Sequence, residues 1–109
     1  MWNKPDPRDL SRIPKLYDTE NTPWEEKIIY EHYFLGGCDW YVAEYDPMER
    51  IYFGYSILNS DHDNAEWGYF AHNELSYIQV RGMEVDRDLH WEPKKAGSID
   101  DIVKGMRRS

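Results

Sequence analysis

The chain of 109 residues contains only one cysteine, Cys38. A single thiol excludes an internal disulfide, a zinc site built from cysteines and a Cys-x-x-Cys redox pair. Apolar runs are only a few residues long, which argues against a membrane span, and the polar residues 1–5 do not resemble a signal peptide. We therefore expect a cytoplasmic protein that does not span a membrane.

Basic residues are scarce, because 13 Lys and Arg stand against 21 Asp and Glu, for a formal net charge of -8. Nucleic-acid binders need clustered Lys and Arg to displace counterions from phosphates. We therefore expect no direct binding of DNA or RNA by the acidic body of the chain. The negative charge would attract a basic protein partner, but its more common effect is to keep a protein soluble without any partner.

Aromatic residues are abundant, with 5 Trp, 9 Tyr and 3 Phe. A chain of this length can bury about two thirds of its surface, so we predict one folded domain over residues 1–109. Trp and Tyr often anchor interfaces, and this many rings predicts that some are exposed. In an acidic domain, an exposed aromatic surface favours a protein partner over single-stranded nucleic acid, with a neutral or cationic small ligand as a second alternative. The alternative is that the rings fill the core and the seams between helices and sheet.

Hydrophobic periodicity predicts an α+β fold. Alternating apolar residues predict strands over residues 27–34, 39–45, 51–58, 66–70 and 85–91. The second and third of these are joined by a turn around Pro47, the clearest hairpin. Asn73 is a candidate N-cap of a short helix. A basic C-terminal helix is predicted over residues 98–108, with Ile99, Ile102, Val103 and Met106 on its apolar side. Together these elements predict an antiparallel meander of four or five strands, with the short helices packed on one face.

Six blocks of sequence occur in an order that resembles a known family. They are Ile13-Pro14-Lys15-Leu16-Tyr17, Trp40-Tyr41 with Glu44-Tyr45-Asp46, Phe53-Gly54-Tyr55, Glu66-Trp67-Gly68-Tyr69-Phe70, Glu74-Leu75, and Arg87-Asp88-Leu89-His90-Trp91-x-Pro93. Over a core of about residues 13–93, the chain resembles the domain-of-unknown-function family numbered 2958, small bacterial proteins found on plasmids, integrated elements and phages. The resemblance implies an accessory role on a mobile genetic element, and it brings no catalytic or binding residues with it. The chain departs from the family at Ala71, where a helix-capping serine is usual.

Residues 61–63 and His72 offer oxygen and nitrogen ligands for a metal. The chain has no spacing that would place two imidazoles on one helix face, so we interpret the segment as a solvated loop. We assign no catalytic residue, metal ligand or cofactor from the sequence.

The predicted fifth strand carries Asp86, Asp88 and His90 on one face, with Leu89 and Trp91 on the other. A buried carboxylate and histidine cluster could perform acid–base chemistry, but the same alternation is typical of the solvated face of a sheet.

Two functions follow from these patterns. The sequence favours a non-enzymatic module that binds an unidentified, basic protein. Its candidate contact residues are Trp40, Tyr41, Glu44, Trp67, Tyr69, Asp88 and His90. The alternative is a small enzyme or ligand-binding domain that uses Glu44, Asp86, Asp88 and His90.

Overall fold

The computed structural model describes residues 1 and 3–107. Its strands are β1 (Ile28–Ile29), β2 (Glu31–Leu35), β3 (Cys38–Asp46), β4 (Ile51–Ile57), β5 (Glu66–Ala71), β6 (Gln79–Val80), β7 (Met83–Glu84), β8 (Asp86–Arg87) and β9 (Lys94–Lys95). Five of them form one antiparallel sheet in the order β5-β4-β3-β2-β8. β2 to β5 form a meander and β8 returns to pair with β2. The predicted α+β class with an antiparallel sheet is confirmed.

The other strands form two short ladders, β1 with β9 and β6 with β7. The α-helices are α1 (Pro7–Leu10), α2 (His72–Tyr77) and α3 (Asp100–Met106), and single 3-10 turns lie at Trp24–Glu26, His62–Asn64 and Ala96–Ser98. Within the described residues, every helix is too short or too polar to cross a membrane.

The predicted hairpin is confirmed by the pairing of β3 with β4. In the turn between them, the Asp46 carboxylate accepts the N–H of Met48 at 2.9 Å and of Glu49 at 3.4 Å. Arg50 follows with φ of +55°, in the left-handed region. Asp is common at the start of a turn because its side chain can accept hydrogen bonds from the backbone of that turn in this way.

A β-bulge changes which side chains of β3 share a face. The register with β4 shifts between Val42 and Glu44, which leaves Ala43 as the extra residue. As a result Val42 and Tyr45, an odd number of residues apart, pack in the same cluster.

Both faces of the sheet are covered, so the prediction of helices on one face is wrong. On the first face, Trp40 and Tyr52 pack with Leu75 of α2. On the second face, Tyr41 packs with Ile102 of α3. The physical reason is that the central strands are apolar on both sides, and each side must be removed from water.

The predicted fifth strand is wrong beyond Arg87, where β8 ends. The Asp88 carboxylate accepts the N–H of His90, and the Asp88 carbonyl accepts the N–H of Trp91, which together form a turn. Leu89 is consequently exposed. Trp91 folds back and donates its indole N–H to the carbonyl of Ile29 at 3.0 Å.

The two longer predicted helices exist with shifted ends. α2 has Ala71 at its N-cap, without a side-chain hydrogen bond, so the prediction of Asn73 as the cap is wrong. α3 packs through Ile102, with Ile99 buried beside it, as predicted. The predicted end of that helix at Arg108 lies outside the described residues.

The core on the first face of the sheet contains a chain of buried polar groups. The hydroxyl of Tyr52 lies 3.0 Å from the hydroxyl of Tyr33 and 3.0 Å from Nδ1 of His72. Burial raises the pKa of both tyrosines, so both hydroxyls stay protonated at neutral pH. Burial also lowers the pKa of His72 from its ordinary value, and the positive charges of Arg50 and Lys4 act in the same direction.

The lowered pKa of His72 makes stability depend on pH. Below its ordinary pKa of 6.5 the unfolded chain takes up a proton more readily than the folded chain, so the free energy of unfolding falls as the pH falls. We expect His72→Gln to lose less stability than the wild type between about pH 7 and pH 5. Urea denaturation across that range measures the difference, with His90→Gln at an exposed position as the control. Parallel curves for wild type and His72→Gln would contradict the assignment.

Candidate functional site

The structure separates the seven predicted contact residues. Trp40, Tyr41 and Glu44 have exposed fractions of 4%, 3% and 2%, so they are not available to a partner on the surface. They are buried because both sides of β3 are covered. Trp67 and Tyr69 lie on β5, at one edge of the sheet. Asp88 and His90 follow β8 at the other edge, so the seven residues do not form one surface.

Glu44 binds a loop instead of a partner. Its two carboxylate oxygens accept the N–H of Tyr17 at 2.8 Å, the N–H of Thr19 at 3.0 Å and the Thr19 hydroxyl. The buried ammonium of Lys27 donates to the carbonyl and the hydroxyl oxygen of Thr19. A buried charge is tolerated when it is hydrogen-bonded in this way. Glu44 and Lys27 therefore fix the position of the loop around residues 17–19.

The loop holds Tyr17 in an unusual conformation beside β5. Its φ is +73°, in the left-handed region, which costs a non-glycine residue roughly 1 kcal/mol. Its side chain is 62% exposed, and its ring centroid lies 6.4 Å from that of Tyr69. Such a backbone conformation persists only where the surrounding contacts stabilise it, and here Glu44 supplies them.

Tyr17 belongs to a row of four rings, which we call the aromatic patch: Tyr17, Phe53, Trp67 and Tyr69. The ring centroid of Phe53 lies 5.2 Å from that of Tyr69 and 6.0 Å from that of Trp67. Tyr69 is 55% exposed, while Phe53 and Trp67 are half-buried. The patch lies on the second face of the sheet, where Phe53 and Trp67 pack against the core.

The patch borders a strand edge that is unpaired among the described residues. β5 pairs with β4 on one side, and no described segment pairs with its other side. The N–H of His72 donates to the carbonyl of Arg50, and from this register the backbone groups of Trp67, Tyr69 and Ala71 point to the open edge. β5 also contains no Lys or Pro, the residues that commonly prevent an edge strand from pairing.

The N-terminal segment contacts the opposite edge of the sheet. At β8 the Asn3 amide donates to the Asp86 carboxylate at 2.8 Å, and the Arg87 guanidinium donates to the Asn3 carbonyl at 3.2 Å. Arg87 also lies 3.3 Å from the carboxylate of Asp9. The N-terminal segment thus lies beside β8, and the N–H of Arg87 donates to the Asp86 carboxylate at 2.8 Å, whereas no such contact is present along the described edge of β5.

Two carboxylates and one ammonium group lie near the aromatic patch, and the ammonium of Lys27 is 5.8 Å from the ring centroid of Phe53. Partial desolvation and neighbouring Tyr17 raise the pKa of Tyr69, and the carboxylates of Glu44 and Glu20 act in the same direction. Glu66, at the start of β5, is exposed. The environment is therefore acidic around Tyr69 and the start of β5, whereas Phe53 lies beside an ammonium group.

The alternative carboxylate and histidine cluster is not assembled. The oxygens of Glu44 bind the loop around residues 17–19, and Asp86 binds Asn3. Asp88 lines a cavity of about 110 Å³ that contains neither Glu44, Asp86 nor His90.

Asp88 instead contacts a histidine that the sequence reading did not select. His32 places Nδ1 3.3 Å from Asp88 and Nε2 2.8 Å from Asp39. Its ring stacks on that of Tyr41 at 4.5 Å, with an angle of 6° between the planes. With both ring nitrogens beside carboxylates and one face covered, His32 links β2, β3 and the turn after β8, and neither ring nitrogen is left without a protein partner.

The two histidines among the metal-ligand candidates bind different groups of the protein. His62 binds the Ser60 carbonyl and Asp101, whereas His72 binds Tyr52. Within residues 1 and 3–107, no group of three or more His, Cys, Asp and Glu side chains is arranged to hold a metal ion.

Sequence reasoning missed two members of the aromatic patch. Phe53 could have been found, since it shares a strand face with Tyr55 and is paired across the predicted hairpin. Tyr17 carried no local signal, because its approach to β5 depends on a hydrogen bond to Glu44, far away in the chain.

Comparison with known proteins gives no match, whether the chain is scanned against protein-family models or searched against curated proteins and solved structures. The resemblance to family 2958 stays an interpretation of the six sequence blocks.

Proposed function

We propose that this protein is a non-enzymatic interaction module. It binds an extended, basic segment of a partner protein, which pairs with the open edge of β5 as an additional strand. The observation that carries the proposal is the open edge of β5. There the backbone N–H and C=O groups of Trp67, Tyr69 and Ala71 point outward beside the aromatic patch. Edge-strand pairing of this kind obtains affinity from main-chain hydrogen bonds and specificity from neighbouring side chains.

The charge of the chain supports a basic segment. The acidic surroundings of Tyr69 would attract Lys and Arg, and the exposed ring faces of Tyr17 and Tyr69 are suited to cation–π contacts with them. A phosphate backbone would be repelled by the same charges, so direct nucleic-acid binding is not part of the proposal.

The biological setting belongs to the same proposal. The family resemblance implies an accessory role on a mobile genetic element, and a small module that binds another protein is suited to such a role. We place the interaction in the cytoplasm, in keeping with the single cysteine.

The proposal predicts a specific pattern of amide protection. The tagged protein captures its partner from a lysate of the producing cell, and the purified partner is then added to the isotope-labelled chain. We expect the N–H groups of Trp67, Tyr69 and Ala71 to exchange with solvent quickly in the free protein and slowly in the complex. The alternate N–H groups of β5, which already face β4, should change little. Protection at the β8 edge instead would contradict the proposal.

A matched pair of variants tests the same surface. Tyr69→Lys introduces the charge that commonly blocks edge pairing and should weaken partner binding about tenfold or more. Tyr77→Lys, on the exposed side of α2, is the control and should bind like the wild type. Raising salt to about 1 M, where the Debye length is about 3 Å, should weaken binding of the wild type. Equal binding by the two variants would exclude β5 as the contact.

A further inference from the structure

A cavity of about 540 Å³ opens on the first face of the sheet, on the opposite face from the aromatic patch. Its walls are formed by α1 and the segments on either side of it, by the turn between β3 and β4, and by the start of α2. Its buried lining consists of Ile13, Tyr45 and His72. Cavities of roughly 300 to 1,000 Å³ are the size that proteins use for small molecules.

The charges that line the cavity are opposite in sign to the net charge of the chain. Lys4, Lys15 and Arg50 line it, and its lining contains no Asp or Glu. None of the three forms an ion pair with a described residue. In a chain with 21 acids and 13 bases, three cations around one cavity, each without an ion-pair partner among residues 1 and 3–107, are a marked local excess.

Three carboxylates close to these cations along the chain already have hydrogen-bond donors. Asp6 accepts the N–H of Arg8, Asp18 accepts the N–H of Lys15, and Asp46 accepts the N–H of Met48. These carboxylates therefore bind backbone N–H groups. The positive character of the cavity also fits the lowered pKa of His72, since Arg50 and Lys4 contribute to it.

We propose that this cavity binds a small organic anion, with its acidic group at Lys4, Lys15 and Arg50 and an apolar body against Leu10, Ile13 and Tyr45. The apolar part follows from the lining, in which Pro5 and Pro7 supplement those three residues and carry no charge. The anionic part follows from the three cations, because a charged ligand group gains most where oppositely charged groups have no competing partner.

The experiment uses 8-anilinonaphthalene-1-sulfonate, which has a sulfonate on an aromatic body, and its uncharged counterpart N-phenyl-1-naphthylamine. We expect one sulfonate probe to bind per chain, with chemical-shift changes at Ile13, Tyr45 and His72, and the uncharged probe to bind about tenfold more weakly. Arg50→Gln and Lys15→Gln should each weaken binding of the sulfonate probe about threefold to tenfold.

The chain offers a matched control. Arg81 is also exposed, also has a positive φ, of +53° against +55° for Arg50, and does not line the cavity. Arg81→Gln should therefore bind the sulfonate probe like the wild type. The proposal is overturned if Arg81→Gln and Arg50→Gln weaken binding equally, if both probes bind equally well, or if the dissociation constant exceeds about 1 mM.

The proposal of a ligand in the cavity and the proposal of a partner at the β5 edge can be contradicted separately. Shift changes confined to Tyr17, Trp67 and Tyr69 would exclude the cavity and leave the partner proposal intact. Loss of partner binding in Tyr69→Lys with unchanged probe binding would show two independent sites.

Discussion

Gly54→Ala is expected to destabilise the protein by at least about 3 kcal/mol, a large fraction of the stability of a domain of this size. A Cβ at Gly54 would lie 1.8 Å from the carbonyl oxygen of Tyr41 and 2.8 Å from its carbonyl carbon. Both are backbone atoms of β3 next to the bulge, so no rotation of a side chain relieves the clash. Urea denaturation, or loss of the dispersed amide spectrum if the variant does not fold, measures the effect.

Gly68→Ala is the matched control for that experiment. Gly68 is the cross-strand neighbour of Gly54 on β5, and a Cβ there meets no atom within 4 Å. Its free energy of unfolding should stay within about 0.5 kcal/mol of the wild type. If the two variants were equally stable, β3 and β4 could not approach as closely as the structure shows.

Tyr52→Ala should cost about 3 to 5 kcal/mol, as for other buried aromatic truncations. The ring is fully buried, stacks on Tyr45 with 4.9 Å between centroids and lies 5.4 Å from Phe70. Tyr52→Phe keeps these contacts but leaves Tyr33 and His72 without their shared partner. A buried polar group that loses its partner costs about 1 to 3 kcal/mol. The loss of this one hydroxyl should therefore lower the free energy of unfolding by an amount that denaturation can measure.

Tyr77→Phe serves as the control, because Tyr77 is exposed on α2 and its loss of a hydroxyl should not change stability. If Tyr52→Phe were as stable as the wild type, the hydroxyl chain from Tyr33 to His72 would contribute nothing to the fold.

Local sequence patterns predicted the elements whose causes are local. The β3 and β4 hairpin follows from two apolar runs around an Asp-Pro turn, and its observed ends lie within one residue of the predicted ones. The amphipathic C-terminal helix follows from the spacing of Ile99 and Ile102. Periodicity and turn chemistry act over a few residues and can be read without knowledge of the fold.

Features that depend on distant partners were not predicted. The bulge at Ala43 has no Gly or Pro to mark it, and Gly54, which lies against the backbone of Tyr41 and Val42 beside it, is on another strand. Alternation over residues 85–91 predicted a strand, but the Asp88 carboxylate forms a turn that ends it. The cavity could not be predicted either, because its lining comes from separate segments of the chain that only the folded sheet brings together.

The return of β8 to β2 has a consequence for the order of folding. The ladders from β2 to β5 join neighbouring segments and require only short loops to close. Pairing Tyr33 with Arg87 requires a much longer loop to close. The conformational entropy of that loop is lost before the contact between the strands is gained. We therefore expect β8 to dock after the meander has formed, so that contacts made by Arg87 slow unfolding more than they speed folding.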